Sequence, residues 1–311
     1  MSRICLKGQG QEGSSKMGSK ELFFQRYADL GESPRDVRVH QTIRVNTLKT
    51  THQLLKDRLE RNNFKLERIP WLQDGFAVKK SKQSIGSTTE YLLGHYYTQE
   101  AAAQLPVHVL DPKPGDMILD MTAAPGGKTT QMSQLMQNKG TIIALDLSNR
   151  LYSLKNNIER MGASNVMVYK KDARFVTDFK LQFDKILLDA PCSGNFVGDR
   201  EWFEKRTFDD MKVRARLQKE LIKAAAKVLK PGGILIYSTC SLEPEENEEV
   251  IDFILKKDNS LSLALIDLPI GDHGLPKAFG QSFHPDMAKC RRLWPWKSQT
   301  QGFFIAKVTK Q

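Results

Sequence analysis

The segment Ile118-Leu-Asp-Met-Thr-Ala-Ala-Pro-Gly-Gly-Lys-Thr-Thr130 decides the fold. An apolar strand ends near Asp120, a turn of small residues carries Gly126 and Gly127, and a helix opens at Lys128. A turn of this kind lets backbone N–H groups approach a ligand closely, with a helix N-terminus behind them. A phosphate-binding loop requires G-x-x-x-x-G-K-[ST]. Gly127-Lys128-Thr129 fits its end, but Thr122 stands where its first glycine must be, and no G-x-G-x-x-G follows the strand either. A strand-to-helix turn without a ligand is the bland alternative.

On either side of this segment the pattern is regular from about Asp111. Strand-like runs at Met117–Met121, Thr141–Asp146, Val166–Lys170, Lys185–Asp189 and Ile234–Ser238 alternate with helix-length amphipathic segments. Those helices are expected at about Lys128–Met136, Asn149–Met161, Asp209–Leu229 and Pro244–Lys257. Such alternation is the signature of βαβ units and a mostly parallel sheet, so this half reads as doubly wound α/β. A late run, Gly302–Val308 (GFFIAKV), suits an edge strand. Upstream, a small α+β unit is expected from Lys20 to about Gln104. It has helices at Lys20–Leu30 and His52–Asn62 and extended stretches at Gln41–Asn46, Phe64–Ile69 and Gly75–Val78. Residues 1–19, rich in Gly, Ser, Gln and Lys, read as a disordered tail.

Ligands of a parallel sheet bind at the carboxyl ends of its strands. Asp146 ends the second strand, where an acid can accept both ribose hydroxyls of an adenosine-containing cofactor, or merely cap a helix. Asp172 closes the third strand near the expected adenine edge, or is a solvated turn acid. The fourth strand runs into Asp189-Ala-Pro-Cys192-Ser-Gly and the fifth into Thr239-Cys240-Ser. Two of the four cysteines thus fall on the same rim as the glycine turn. Free cysteine is often just buried packing, but two of them beside a proline and an acid point to chemistry. Carbon 5 of a pyrimidine is a poor nucleophile until a thiolate adds to carbon 6 and turns the ring into an enamine that can attack an electrophilic methyl. An acid near ring nitrogen 3 supports the charge redistribution, and loss of the carbon 5 proton then expels the thiol. Spacing leaves open which cysteine is the nucleophile and which assists release.

The 311 residues suffice for about two domains, and 40% hydrophobic with 27% charged residues is ordinary for a folded chain. No apolar run reaches the ~18 residues of a membrane helix, and the N-terminus has no apolar signal core. Cys5, Cys192, Cys240 and Cys290 form no C-x-x-C pair, so zinc or a disulfide framework is not expected. A soluble cytoplasmic protein with reduced thiols, monomeric and without metal, is the expectation. The net charge of +11 favours a polyanionic partner. Residues 1–105 hold 17 Lys and Arg against 11 Asp and Glu, so the excess concentrates in the N-terminal third.

The motifs AAPGGKT, DAPCSG, YSTCS followed by PEENE, and RLWP…GFFIA together resemble the Nop/Sun (RsmB-like) family of RNA 5-methylcytosine methyltransferases. The resemblance runs from about Gln41 to Val308 and includes RVNTLK and YYTQEAAAQLP. It implies a Rossmann-like S-adenosylmethionine-dependent methyltransferase domain over 106–311 and a small N-terminal α+β RNA-binding region over 20–105. It implies S-adenosylmethionine binding by Thr122, Ala123, Ala124, Pro125, Gly126, Gly127 and Lys128 with Asp146, Asp172 and Asp189. It also implies Cys240 as nucleophile and Cys192 as the group that helps release the product, with Lys128 and Asp189 touching the base. The target base must be unpaired or flipped out. Three departures stand out: Thr122 for the Cys usual before AAPGGK, Trp296 for a common His, and Gln301 for a frequent acid. The first should be tolerated, and the other two bear on local substrate contacts. Transfer RNA, as in archaeal-type enzymes, is the preferred substrate and ribosomal RNA the second. A non-catalytic RNA-binding protein on the same scaffold is the alternative from another class.

Overall fold

The computed structural model describes residues 19–147 and 149–311, so the tail expected over 1–19 lies, except for Ser19, outside the described residues. A nine-stranded mixed sheet organises the larger part of the chain. Four parallel pairings join Val166–Lys170, Thr141–Asp146, Met117–Asp120, Phe183–Asp189 and Leu229–Thr239 in that spatial order. The chain first steps outward from Met117–Asp120 on one side, then returns to build on the other. The carboxyl end of Met117–Asp120 is therefore the point where the winding reverses, and there a crevice opens between diverging loops. Apolar residues of the central strands, such as Leu119, Leu187, Ile236 and Tyr237, are fully buried, as strands covered on both faces require.

The helices over Gly127–Leu135, Leu151–Met161 and Phe208–Val228 lie close to where periodicity puts them. Thr207 and Asp210 close the start of the last as a reciprocal capping box. The helix expected over Pro244–Lys257 is split: a short 3-10 turn at Pro244–Glu246 precedes the α-helix Glu248–Lys257. Asn247 causes the break. Its side chain bonds the Thr239 hydroxyl at 2.6 Å and the Ser241 carbonyl at 2.9 Å, holding its backbone at φ −115°, ψ −93°.

The late strand is not an edge strand. Phe303–Lys310 is antiparallel to Leu229–Thr239 on one side and pairs with Arg291–Leu293 and Leu261–Leu263 on the other. Its run Phe303-Phe-Ile-Ala306 is buried throughout, which an edge exposed to water would not favour. The short partner strands have only three residues each, too few to carry a pattern in the sequence.

The N-terminal part holds a four-stranded antiparallel sheet in the order Lys65–Arg68, Gly75–Lys80, Thr42–Val45, Tyr96–Thr98. Helix His52–Arg61 packs Leu55 and Leu59 into its core with Ile43, Phe76 and Tyr96. Helix Ser19–Asp29 instead lays Phe23 and Tyr27 among Trp202, Trp294 and Trp296 of the larger part. Burial of each such ring contributes roughly 2 kcal/mol, and the Tyr27 hydroxyl donates to Glu243 at 2.7 Å. The two parts also meet through side chain to carbonyl bonds, from Asn46 to Met161 and from Lys49 to Arg160. Gly94 sits at φ +72° against the same helix end, where a Cβ would stand 1.9 Å from the Arg160 carbonyl.

Candidate active site

The loop after Asp120 is shaped by its own small residues. Gly126 takes φ +103°, a left-handed conformation that favours glycine, and its N–H donates to the Ala123 carbonyl at 2.7 Å. A Cβ on Gly127 would press the Tyr97 ring at 3.2 Å. Behind the loop lies Arg44, fully buried, donating to the Gly127 carbonyl, the Gln99 amide oxygen and the Thr130 hydroxyl. Among the described residues no carboxylate pairs with it, and burial lowers its pKa to about 9. Asp120 is buried beneath the loop and accepts from the Thr129 hydroxyl at 2.6 Å. Burial pushes its carboxyl up to about 7 against that bond.

A cavity of about 210 Å³ opens over the loop, lined by Thr122–Pro125, Gly127, Lys128, Asp189 and the facing Tyr97–Glu100 stretch. Asp146 supports it from the neighbouring strand, with its carboxylate accepting the Ala124 and Leu147 N–H groups at 2.8 and 2.7 Å. Each oxygen keeps a lone pair for a further donor. Asp172 stands apart from the cavity lining. Its carboxylate is bonded to Arg174, at 2.7 Å for the shortest contact, and that bond holds its pKa below the usual carboxylate range.

Across the cavity, Lys128 Nζ lies 2.6 Å from Asp189 Oδ2, while Ser238 donates to Asp189 Oδ1 at 2.8 Å. Thr122 donates its hydroxyl to the Asp189 carbonyl at 2.8 Å, so this departure from the family pattern ties the two strand ends together. Cys192 and Cys240 follow on the next two strand ends, half-buried, with their sulfurs 3.2 Å apart. The hydrogen bond with Cys192 lowers the Cys240 pKa, aided by the Lys128 charge and opposed by burial and Asp189. The same contact, with burial, pushes Cys192 well up. The pair favours a thiolate on Cys240 and a proton on Cys192.

The loops carrying the thiols are stitched together by residues that the sequence did not single out. Asn195 donates to the Cys240 carbonyl at 2.6 Å. Glu246, within PEENE, accepts the Ser193 N–H with both oxygens, at 2.9 and 3.1 Å, and burial raises its pKa to about 7. Glu100 accepts the N–H groups of Ala102, Ala103 and Gln301. The signal for Asn195 and Glu246 was their place beside the two cysteine motifs. Arg44 and Glu100 lie within the RVNTLK and YYTQEAAAQLP segments, but the reach of Arg44 to Gly127 and Thr130 and of Glu100 to Gln301 joins residues remote in sequence. Trp296 packs against Trp294 and donates to Glu32 at 3.0 Å, so it belongs to the seat of the first helix. Cys290 is buried in the core beside Met287.

Comparison with known proteins agrees with this geometry. The family model for the 16S rRNA methyltransferase RsmB/F matches residues 107–309, and that for the N-terminal domain of the 16S rRNA methyltransferase RsmF matches residues 18–101. The chain is 43% identical over 274 residues to the tRNA (cytosine(49)-C(5))-methyltransferase of Pyrococcus abyssi, covering 86% of this chain and 88% of that protein. It is 39% identical to the 28S rRNA (cytosine-C(5))-methyltransferase of Mus musculus, over 91% of this chain but 36% of the mouse protein. Among solved structures, a methyltransferase homolog protein from Pyrococcus horikoshii superposes with TM-score 0.82 at 40% identity, covering 94% and 95% of the two chains. NSun6 from Pyrococcus horikoshii, solved with SFG, superposes with TM-score 0.80 at 31% identity, covering 94% of each. With both models matched and RNA cytosine-C5 methyltransferases related to it over most of its length, the chain belongs to the RsmB/F family of RNA methyltransferases.

Proposed function

We propose that the chain methylates carbon 5 of a cytosine in RNA, with S-adenosylmethionine as methyl donor, Cys240 as nucleophile and tRNA as the favoured substrate. The observation that carries this reading is the contact between the Cys192 and Cys240 sulfurs, within reach of the charges of the Lys128–Asp189 pair that lines the glycine-turn cavity.

The donor set fits the cofactor. Asp146 keeps free lone pairs at a strand end, the glycine turn leaves room for close backbone approach, and a structural neighbour was solved with SFG, an analogue of S-adenosylmethionine. Thr122 through Lys128, with Asp146 and Asp189, would hold it, and Asp172 would contribute after exchanging its bond to Arg174. When bound it supplies an electrophilic methyl group.

The chain's own side chains then divide the work. Cys240, as thiolate, bonds to carbon 6 of the base and makes carbon 5 nucleophilic. Asp189, held by Lys128 and Ser238, faces the ring and stabilises the redistributed charge, with the Lys128 ammonium beside it. Once Cys240 is a thioether it no longer draws on the Cys192 S–H. Cys192 is then free to ionise, take the carbon 5 proton and let the carbon–sulfur bond break.

Transfer RNA is favoured because the chain is 43% identical to the Pyrococcus abyssi tRNA enzyme and 39% identical to the mouse rRNA enzyme. Ribosomal RNA is the second reading, favoured by the description of the matched family models. The α+β region over 20–105 is the RNA-binding part of this proposal. A reducing, cytoplasmic setting belongs to it too, since thiols in contact would be oxidised to a disulfide elsewhere. Transfer of labelled methyl from S-adenosylmethionine to unmodified tRNA and rRNA is the test. Label in 5-methylcytosine of tRNA, lost in Cys240→Ala, is expected. Label on a base nitrogen, or cofactor binding without transfer to either RNA, would overturn the reading.

A further inference from the structure

Three cavities of the molecule form one path. The first, about 420 Å³, lies between the Asp36–Val39 segment and the loop carrying Phe196, Val197 and Arg200. The second, about 360 Å³, shares Val39 with it and continues past His40, Gln41 and Gln301. The second in turn shares Thr98, Gln99 and Glu100 with the cavity over the glycine turn. A trench therefore leads from the N-terminal segment to the site of chemistry.

The lining suits a single nucleic-acid strand. Arg38 and Arg200 are exposed, and among the described residues neither takes part in an ion pair. Of the acids nearby, Asp36 pairs with Lys20 at 2.7 Å, Asp199 and Glu201 share Lys205 at 3.1 and 2.9 Å, and Glu100 is caged by three backbone N–H groups. Phe196 and Phe203 stack at 5.1 Å and 18°, giving the first cavity an aromatic wall. Free cations along a groove with aromatic rings beside them hold single strands through phosphates and stacked bases. A base drawn out of its helix to reach the cavity brings its neighbours with it.

We infer that this trench holds the single-stranded nucleotides adjoining the target cytosine, with Arg38 and Arg200 on their phosphates. The inference rests on the RNA-substrate reading above, and its failure is separable from that reading's.

The test measures binding of an unstructured 12-nucleotide RNA containing one cytosine, and of the same strand annealed to its complement, over a salt series. Methyl transfer to a tRNA transcript is assayed in parallel. The Arg38→Ala, Arg200→Ala double variant should lower the log–log salt slope for the single strand by about 1.4, at ~0.7 for each phosphate that is no longer neutralised. Lys257→Ala, at an exposed site on another face, should leave it unchanged. Wild-type transfer with an unaltered slope in the double variant would overturn the trench alone. So would an equal drop in Lys257→Ala, or a drop confined to the duplex. A wild type that binds neither RNA and transfers no methyl would overturn both readings.

Discussion

Cys192 and Cys240 are 48 residues apart in the chain, yet their sulfurs lie 3.2 Å apart, within hydrogen-bonding distance of each other. Adjacent parallel strands put them there: Asp189 pairs in register with Ser238, and each cysteine follows its strand by a few residues. One loop is anchored by Asn195 and the other by Glu246, so the pair is held rather than accidental.

The two thiols should fail differently. Cys240→Ala should abolish methyl transfer. Cys192→Ala should leave a covalent protein–RNA adduct that survives denaturation, visible as a shifted band on a denaturing gel. The opposite pattern would make Cys192 the nucleophile.

Cys240 should alkylate as a low-pKa thiol. The S–H bond from Cys192 stabilises its thiolate, so the midpoint of iodoacetamide reactivity against pH should lie below that of an ordinary cysteine. Removing that donor in Cys192→Ala leaves the proton on Cys240 to higher pH, and the midpoint should rise. Site-resolved mass spectrometry reads it, and an unmoved midpoint would refute the role of the contact.

Glu246 should make the fold less stable as pH rises. Its carboxyl is raised by burial to about 7 from the ordinary 4.5, so between these values the folded state keeps a proton that the unfolded state has lost. Its contribution is full below pH 4.5, falls as pH rises towards 7, and levels off above it. The slope is up to about 1.4 kcal/mol per pH unit. Glu246→Gln should remove it from urea unfolding curves taken at roughly pH 5, 6 and 7, spanning the interval in which the proton is released. An unchanged pH dependence would contradict the assignment.

Arg44→Met should destabilise the protein by on the order of 3 kcal/mol, because the Gly127 carbonyl and the Gln99 amide oxygen are deprived of a buried donor. Binding of an S-adenosylmethionine analogue should weaken with it, since the glycine turn loses its backing. Urea unfolding and calorimetric titration check the two effects, and native stability with native analogue affinity would show that Arg44 does not hold the loop.

Legibility followed the range of the interactions. The parallel strands were readable because a buried strand needs only a short apolar run, and Thr141–Asp146 and Val166–Lys170 appear with the expected bounds. The late strand was readable as a strand, but its place inside the sheet depended on Arg291–Leu293 and Leu261–Leu263, three residues each and without a pattern of their own. Trp296, a departure that bore on substrate contacts, instead supports the helix Ser19–Asp29.

By itself the sequence determined the α/β architecture, the glycine turn and the presence of two cysteines at strand ends, since each rests on residues adjacent in the chain. Only the tertiary structure decided that the two sulfurs touch, that Arg44 backs the glycine turn and that three cavities join into a trench. Those relations are distances between residues tens to hundreds of positions apart, set by how strands align and loops pack, and no local periodicity encodes them.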